Sequence, residues 1–217
     1  LPQIFQMSVL ASPDGARLYF LQGLWPEKTI LQILDSATLR VLKRIEPPTT
    51  AFQGGVGDVG DFDEQKRIAY LAGFNSVYKV HMDSDEFLGM LNIYDVYKEM
   101  SRPNGWATSA LSGIHLTAAK DRLFITSWDA HSVFQYDLRN EKWIPRVIWM
   151  GLSPVAAVIS PDRRYLYTAN QKSDTITRLD TTAGEVVEVI PLGGPVSQLG
   201  IGSLRQGASF QNVGVVP

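Results

Sequence analysis

The chain has 217 residues, 45% hydrophobic and 19% charged, a balance that fits a globular unit with its own core and excludes bulk disorder. Twenty basic against 22 acidic residues leave a formal charge of −2, so no long-range positive field exists to draw in nucleic acid or anionic lipid. There is no cysteine, which removes disulfides, thiolate nucleophiles, iron–sulfur clusters, Cys-based zinc sites and thioether-bound haem.

The elements repeat along the chain. Ser12-Pro13-Asp14-Gly15 reads as a turn leading into Arg17-Leu18-Tyr19-Phe20, then strand patterns at 30–34 and 41–45 separated by a turn at Asp35. A second unit runs from the turn at 63–66 through Arg67-Ile68-Ala69-Tyr70 and residues 77–80, turns at His81 and ends with residues 88–93. A helical turn is expected over 94–100, before the longest insertion between units. The third unit has Lys120-Asp121 before Arg122-Leu123-Phe124-Ile125, then 133–136, Asp137 and 144–149. The fourth has Ser160-Pro161-Asp162 before Tyr165-Leu166-Tyr167-Thr168, then 175–179, Asp180 and 186–190.

Anchored on Leu18, Ile68, Leu123 and Leu166, the repeat advances by 50, 55 and 43 residues. Four short strands and tight turns over about 40–50 residues make one propeller blade. A sandwich would also supply many short strands, but its strands have no reason to repeat one motif after the same turn. The expectation is an all-β propeller of four-stranded antiparallel blades, about four to five in this chain, which either close compactly on themselves or belong to a larger ring. The blades are placed at about 7–47, 56–95, 110–150 and 154–193. A partial blade at 195–217 would be completed by residues 1–6.

The fourth unit carries Tyr167-Thr168-Ala169-Asn170, then Asp174-Thr175-Ile176-Thr177-Arg178-Leu179-Asp180, and closes on Ile190-Pro191-Leu192-Gly193. It resembles the propeller repeat family named for its Tyr-Val-Thr-Asn signature, closely over some 40 residues and loosely over about 150. That resemblance implies a propeller fold and leaves activity open, since such propellers serve many roles. It is also similar to the propellers of quinoprotein amine dehydrogenases and haem nitrite reductases.

Candidate chemistry is sparse. Gly55-Val56-Gly57-Asp58-Val59-Gly60 spells a dinucleotide fingerprint, but Asp58 and Asp61 would repel phosphate and no helix pattern follows, so a glycine-rich loop between blades is the reading. Asp61, Asp63 and Glu64 could offer oxygens to calcium, though they match no EF-hand register and acidic residues fill exposed turns by default. His81 stands where other units carry an aspartate, which predicts a turn role. His115 falls on the expected innermost strand of its blade, where a channel ligand would sit, with a buried structural histidine as the bland alternative. Arg102 and Trp106, on the long insertion, are candidates for contact with a ligand or another subunit, as is Asp58. No nucleophile elbow or phosphate loop occurs, so no catalytic residue, resident metal or cofactor is assigned.

The function these readings favour is a non-catalytic platform that binds a partner protein or ligand. The alternatives implied by resemblance are a propeller subunit of a redox enzyme and a lactonase-like hydrolase, for which only His115 and Arg102 are candidates. Another protein chain is expected as partner, and nucleic acid is not. Family habit and the Leu1 start, read as a processed mature end or a trimmed fragment, point to a periplasmic or extracellular setting.

Overall fold

A computed structural model describes residues 4–24, 28–47, 60–73, 75–99 and 111–193. They form four antiparallel four-stranded sheets, each a simple meander in chain order. The first sheet holds β1 (Ile4–Ala11), β2 (Arg17–Leu24), β3 (Lys28–Asp35) and β4 (Val41–Ile45). The second holds β5 (Gly60–Asp63), β6 (Ile68–Ala72), β7 (Ser76–His81) and β8 (Phe87–Asn92), followed by the short helix α1 (Ile93–Glu99). The third holds β9 (Leu111–Leu116), β10 (Arg122–Ser127), β11 (Ser132–Asp137) and β12 (Lys142–Trp149). The fourth holds β13 (Pro154–Ile159), β14 (Tyr165–Asn170), β15 (Thr175–Asp180) and β16 (Glu185–Pro191). The chain is an all-β propeller with one blade per sheet. No helix among the described residues is long and apolar enough to cross a membrane.

Each blade repeats the same turn chemistry. In the first turn, Ser12, Thr117 and Ser160 hold the backbone with their hydroxyls; Ser12 Oγ and Ser160 Oγ accept from the amides of Arg17 and Tyr165 at 2.9 Å. In the turn between third and fourth strands, Asp35, Asp137 and Asp180 accept from amides two or three residues on. The second blade has His81 there, and its Nδ1 faces the amides of Asp83 and Ser84 at 3.3 Å. The imidazole lone pair replaces the carboxylate oxygen.

The sequence frame of the second blade needs one correction. Strand pairing sets Ile68 opposite His81, as Arg17 is set opposite Asp35, Arg122 opposite Asp137 and Tyr165 opposite Asp180. Ile68 therefore stands at the arginine position, and Ala69, not Ile68, matches Leu18, Leu123 and Leu166. The cause lies in the turn: its left-handed residue is Arg67 (φ 56°), directly before β6, whereas Gly15, Lys120 and Arg163 take φ of 69°, 53° and 58° two residues before their strands. In the corrected frame an aromatic recurs without exception, at Tyr19, Tyr70, Phe124 and Tyr167.

That aromatic joins blade to blade. Tyr19 packs in one cluster with Ala69, Leu71 and Val80 of the second blade, and its ring lies 5.9 Å from Phe62. Tyr70 packs with Ile114, Leu116, Leu123 and Phe134 of the third. Phe124 packs with Leu166 and Leu179 of the fourth. All three are buried, while Tyr167 is half-exposed and no core cluster of the described residues joins the fourth blade to the first. Residues 4–6 belong to β1, paired with β2, so they serve the first blade instead of completing a fifth. Residues 194–217 lie outside the described residues.

Candidate functional site

The polar groups nearest the inner strands meet where the second, third and fourth blades converge. Asp61 on β5 is buried, and Arg163 reaches it from the β13–β14 turn, 102 residues along the chain. Arg163 donates from Nη1 to Asp61 Oδ2 at 2.5 Å and from Nη2 to Asp61 Oδ1 at 3.0 Å, a two-pronged pair. The same Nη1 donates to the carbonyl of Leu116 at 3.0 Å, and the Leu116 amide donates back to Asp61 Oδ2 at 2.8 Å. Asp61 Oδ1 also accepts from the Phe62 amide at 2.8 Å. Two inner strands and the first turn of the fourth blade are thus tied by one carboxylate and one guanidinium.

The local backbone explains the reach. Lys120 and Arg163 occupy the same left-handed slot of their turns, which throws a long side chain back toward the preceding blade. Lys120 Nζ donates to the Phe62 carbonyl at 3.0 Å just as Arg163 donates to Leu116, its counterpart one blade on. Gly15 fills the slot in the first blade and supplies no such arm.

Electrostatics follow the pairing. Burial alone would raise the Asp61 carboxyl, but the Arg163 hydrogen bonds and charge outweigh it and hold it below the ordinary carboxylate value. Arg163 is pushed up by the same bond. Burial lowers the Lys120 ammonium, with Asp61 opposing. His115, beside this group on β9, is held below its ordinary value by burial, again with Asp61 opposing, so its imidazole is kept neutral at pH 7. Its Nε2 is sealed from solvent with no hydrogen-bond partner, although an edge of the residue remains exposed.

Both Asp61 oxygens are already committed to protein donors, so the carboxylate has no lone pair positioned as a general base. The other calcium candidates are not gathered with it. Asp63 Oδ1 accepts from the amides of Gln65 and Lys66 at 3.1 and 3.0 Å, Asp63 Oδ2 is buried without a hydrogen-bond partner, and Glu64 is exposed. Among the described residues no group of three or more His, Cys, Asp or Glu could hold a metal ion. Asp58, Arg102 and Trp106 lie outside the described residues.

β9 and β13 approach closely beside His115. A Cβ on Gly113 would stand 2.6 Å from the Ala157 Cβ, and Ser112 Oγ donates to the Pro154 carbonyl at 2.5 Å. The third histidine, His131, ties the same joint at its far end, where its Nδ1 accepts from the Ser153 amide at 3.0 Å.

That far rim carries two of the exposed large apolar side chains. Trp149 ends β12 at 50% exposure and Leu152, on the link to β13, is also 50% exposed. Trp128, on the β10–β11 turn, lies on the same rim, because Trp149 pairs with Ser132 and Leu111 with Ser127. The chain enters β9 at this rim. Neither Arg163 nor Trp149 stands out in the sequence: one sits in an ordinary polar turn, the other in an apolar strand that reads as buried.

No family model and no curated protein matches the chain. Solved structures do. A hydrazine synthase chain from Kuenenia stuttgartiensis superposes with a TM-score of 0.59 at 17% identity, over 88% of this chain and 49% of that one. A chain of the Mitotic Checkpoint Complex gives 0.63 at 14% identity, over 89% and 52%. A 6-phosphogluconolactonase candidate from Bacteroides fragilis NCTC 9343 gives 0.58 at 16%, over 90% and 56%. The fold is a β-propeller. The chain spans about half the length of the solved structures it matches, and their identities are too low to carry more than the fold.

Proposed function

We propose that the chain is a non-catalytic propeller platform that binds a partner protein through the rim carrying Trp149 and Leu152. The observation that supports this most is the contrast between the two rims. At one, the Asp61–Arg163 group has its carboxylate oxygens spent on internal bonds. At the other, Trp149 at the end of β12 and Leu152 on the link to β13 are each half-exposed, and tryptophan is a side chain that protein interfaces favour. That a propeller of this shape occurs in the Mitotic Checkpoint Complex agrees with such a role.

The test is a photo-crosslinking residue placed at Trp149 or Leu152, with Leu88 on an outer strand as control. One partner crosslinked from 149 and 152 but not from 88, with no turnover of a sugar lactone and no visible chromophore in the purified protein, is the expected result. Lactone hydrolysis abolished by His115→Ala, or a visible chromophore retained through purification, would overturn the reading in favour of an enzyme.

A further inference from the structure

The link between β12 and β13, residues 150–153, is held on both sides. The Met150 amide donates to the His131 carbonyl at 3.0 Å. The Leu152 amide donates to Ser173 Oγ at 3.0 Å. The Leu152 and Ser153 carbonyls accept from the amides of Lys172 and Gln171 at 3.1 and 2.9 Å. The last tie is the Ser153 amide, which donates to His131 Nδ1 at 3.0 Å. Ser153 is buried in a left-handed conformation with φ of 55°, so that amide depends on a protein acceptor. Of these ties, only the last ends on a side chain whose type changes charge between pH 5 and 8.

Three blades share the slot that His131 fills, which isolates what the histidine adds. The residue after the fourth strand, Ile93, Met150 or Leu192, donates its amide to the carbonyl of Asn75, His131 or Asp174 at 3.0, 3.0 and 2.9 Å. Each acceptor stands directly before the third strand of its blade. Asparagine, histidine and aspartate side chains can all accept a hydrogen bond, but the imidazole alone exchanges acceptor for donor near neutral pH.

His131 Nδ1 lies between two backbone groups of opposite need, the Ser153 amide at 3.0 Å and the Trp128 carbonyl at 3.2 Å. With its proton on Nε2, the neutral ring offers Nδ1 as an acceptor to Ser153. An imidazolium carries protons on both nitrogens and cannot accept, so it donates to the Trp128 carbonyl and leaves the Ser153 amide facing another proton.

We propose that His131 is an acid-released latch. At neutral pH it clamps the 150–153 link to the third blade; on protonation it lets go of Ser153 and holds only its own turn. Among the described residues, the charged groups on the elements around it are Asp129 on the same turn and Lys172 and Asp174 on the β14–β15 turn. Asp129 accepts from Ser127 Oγ at 3.0 Å. The two carboxylates favour the imidazolium and the lysine opposes it, which together set the pH of release. Leu152 rides on this link, so release would loosen the rim surface proposed to meet a partner. That consequence rests on the rim reading, whereas the latch does not.

Amide hydrogen exchange on the intact chain, read by NMR and corrected for the intrinsic rate at each pH, tests the latch without a partner. Protection at Ser153 should fall about tenfold or more between pH 7.5 and 5, while protection at Leu152, whose acceptor is a hydroxyl, should hold. His131→Asn should keep Ser153 protected at both pH values, because Asn75 fills the same slot in the second blade and an amide oxygen accepts throughout. His131→Ala should lose that protection at both. Unchanged protection of Ser153 in the wild type, an equal fall in His131→Asn, or full protection in His131→Ala would each overturn the latch. A latch that passes beside a rim giving no crosslink from Leu152 sinks the rim reading and leaves the latch standing.

Discussion

The joint between the second and third blades and the joint between the third and fourth are built on one strand template but with different materials. The former is a broad apolar cluster in which Tyr70, Leu91, Ile93, Val96, Ile114, Leu123, Phe134 and Trp143 interlock, with α1 covering one side. The latter has a small apolar centre of Phe124, Val133, Ile148, Leu166 and Leu179. Around it lie close backbone approach at Gly113, the Ser112 and His131 hydrogen bonds, and the Asp61–Arg163 pair. A propeller can therefore hold one blade by volume and the next by polar stitching, and the two should respond differently to substitution.

The largest effect is expected where volume is removed from the apolar joint. Leu123→Ala should cost about 2–5 kcal/mol of unfolding free energy, and Leu166→Ala less, because its smaller cluster collapses more readily onto the gap. Denaturant titration checks the order, and an equal or reversed pair would erase the distinction. Gly113→Ala should cost about 1–3 kcal/mol through the β9–β13 approach, since the added methyl meets Ala157 and the Thr126 side chain. The same change at exposed Gly193, which has nothing within 4 Å, should be close to neutral.

Acidity probes the polar joint more gently. His115 has its pKa depressed in the fold, so the unfolded chain takes up its proton first as pH falls. The stability it permits is full above its ordinary value near 6.5 and declines below that, down through the folded value. His115→Leu, which restores the residue type of Leu10 at the matching position, should flatten the pH dependence of the thermal midpoint between pH 7 and 5; an unchanged slope would mean another group titrates there. The smallest effect belongs to His81. His81→Asp should change stability by less than about 0.5 kcal/mol, and His81→Ala should lose roughly 0.5–1 kcal/mol with its cap, measured by the same titration.

Much of the fold was legible because a propeller repeats its local rules: the hydroxyl turn, the aspartate turn and the strand aromatic all announce themselves at a fixed spacing. The one-residue slip in the second blade arose because Arg67 looked like Arg17 and Arg122 in sequence, while pairing put Ile68 there. Only φ at the turn distinguishes them. Asp61 was legible as a chemistry-bearing acid, but its calcium reading missed the guanidinium, because nothing in a linear pattern joins residues 61 and 163. The signal that could have found Arg163 was the series Gly15, Lys120, Arg163, a shared turn slot filled by a long cation in two blades. Trp149 was hidden for the opposite reason: outer-strand apolar residues read as core until the sheet shows which edge faces water.

The central claim is that the ionised group among the inner strands is a joint binding three blades, and a double-mutant cycle on Asp61→Ala and Arg163→Ala addresses it most directly. Both groups are largely shielded, with side-chain exposures of 10% and 27%, so removing either should cost stability and removing both should cost little more. The account predicts a coupling of about 1–3 kcal/mol in unfolding free energy at pH 7. The pair is present above the ordinary aspartate value and is lost as pH falls through the depressed folded value of Asp61, so the coupling should fade under strong acid. Two additive losses, within roughly 0.3–0.5 kcal/mol of their sum, would contradict it.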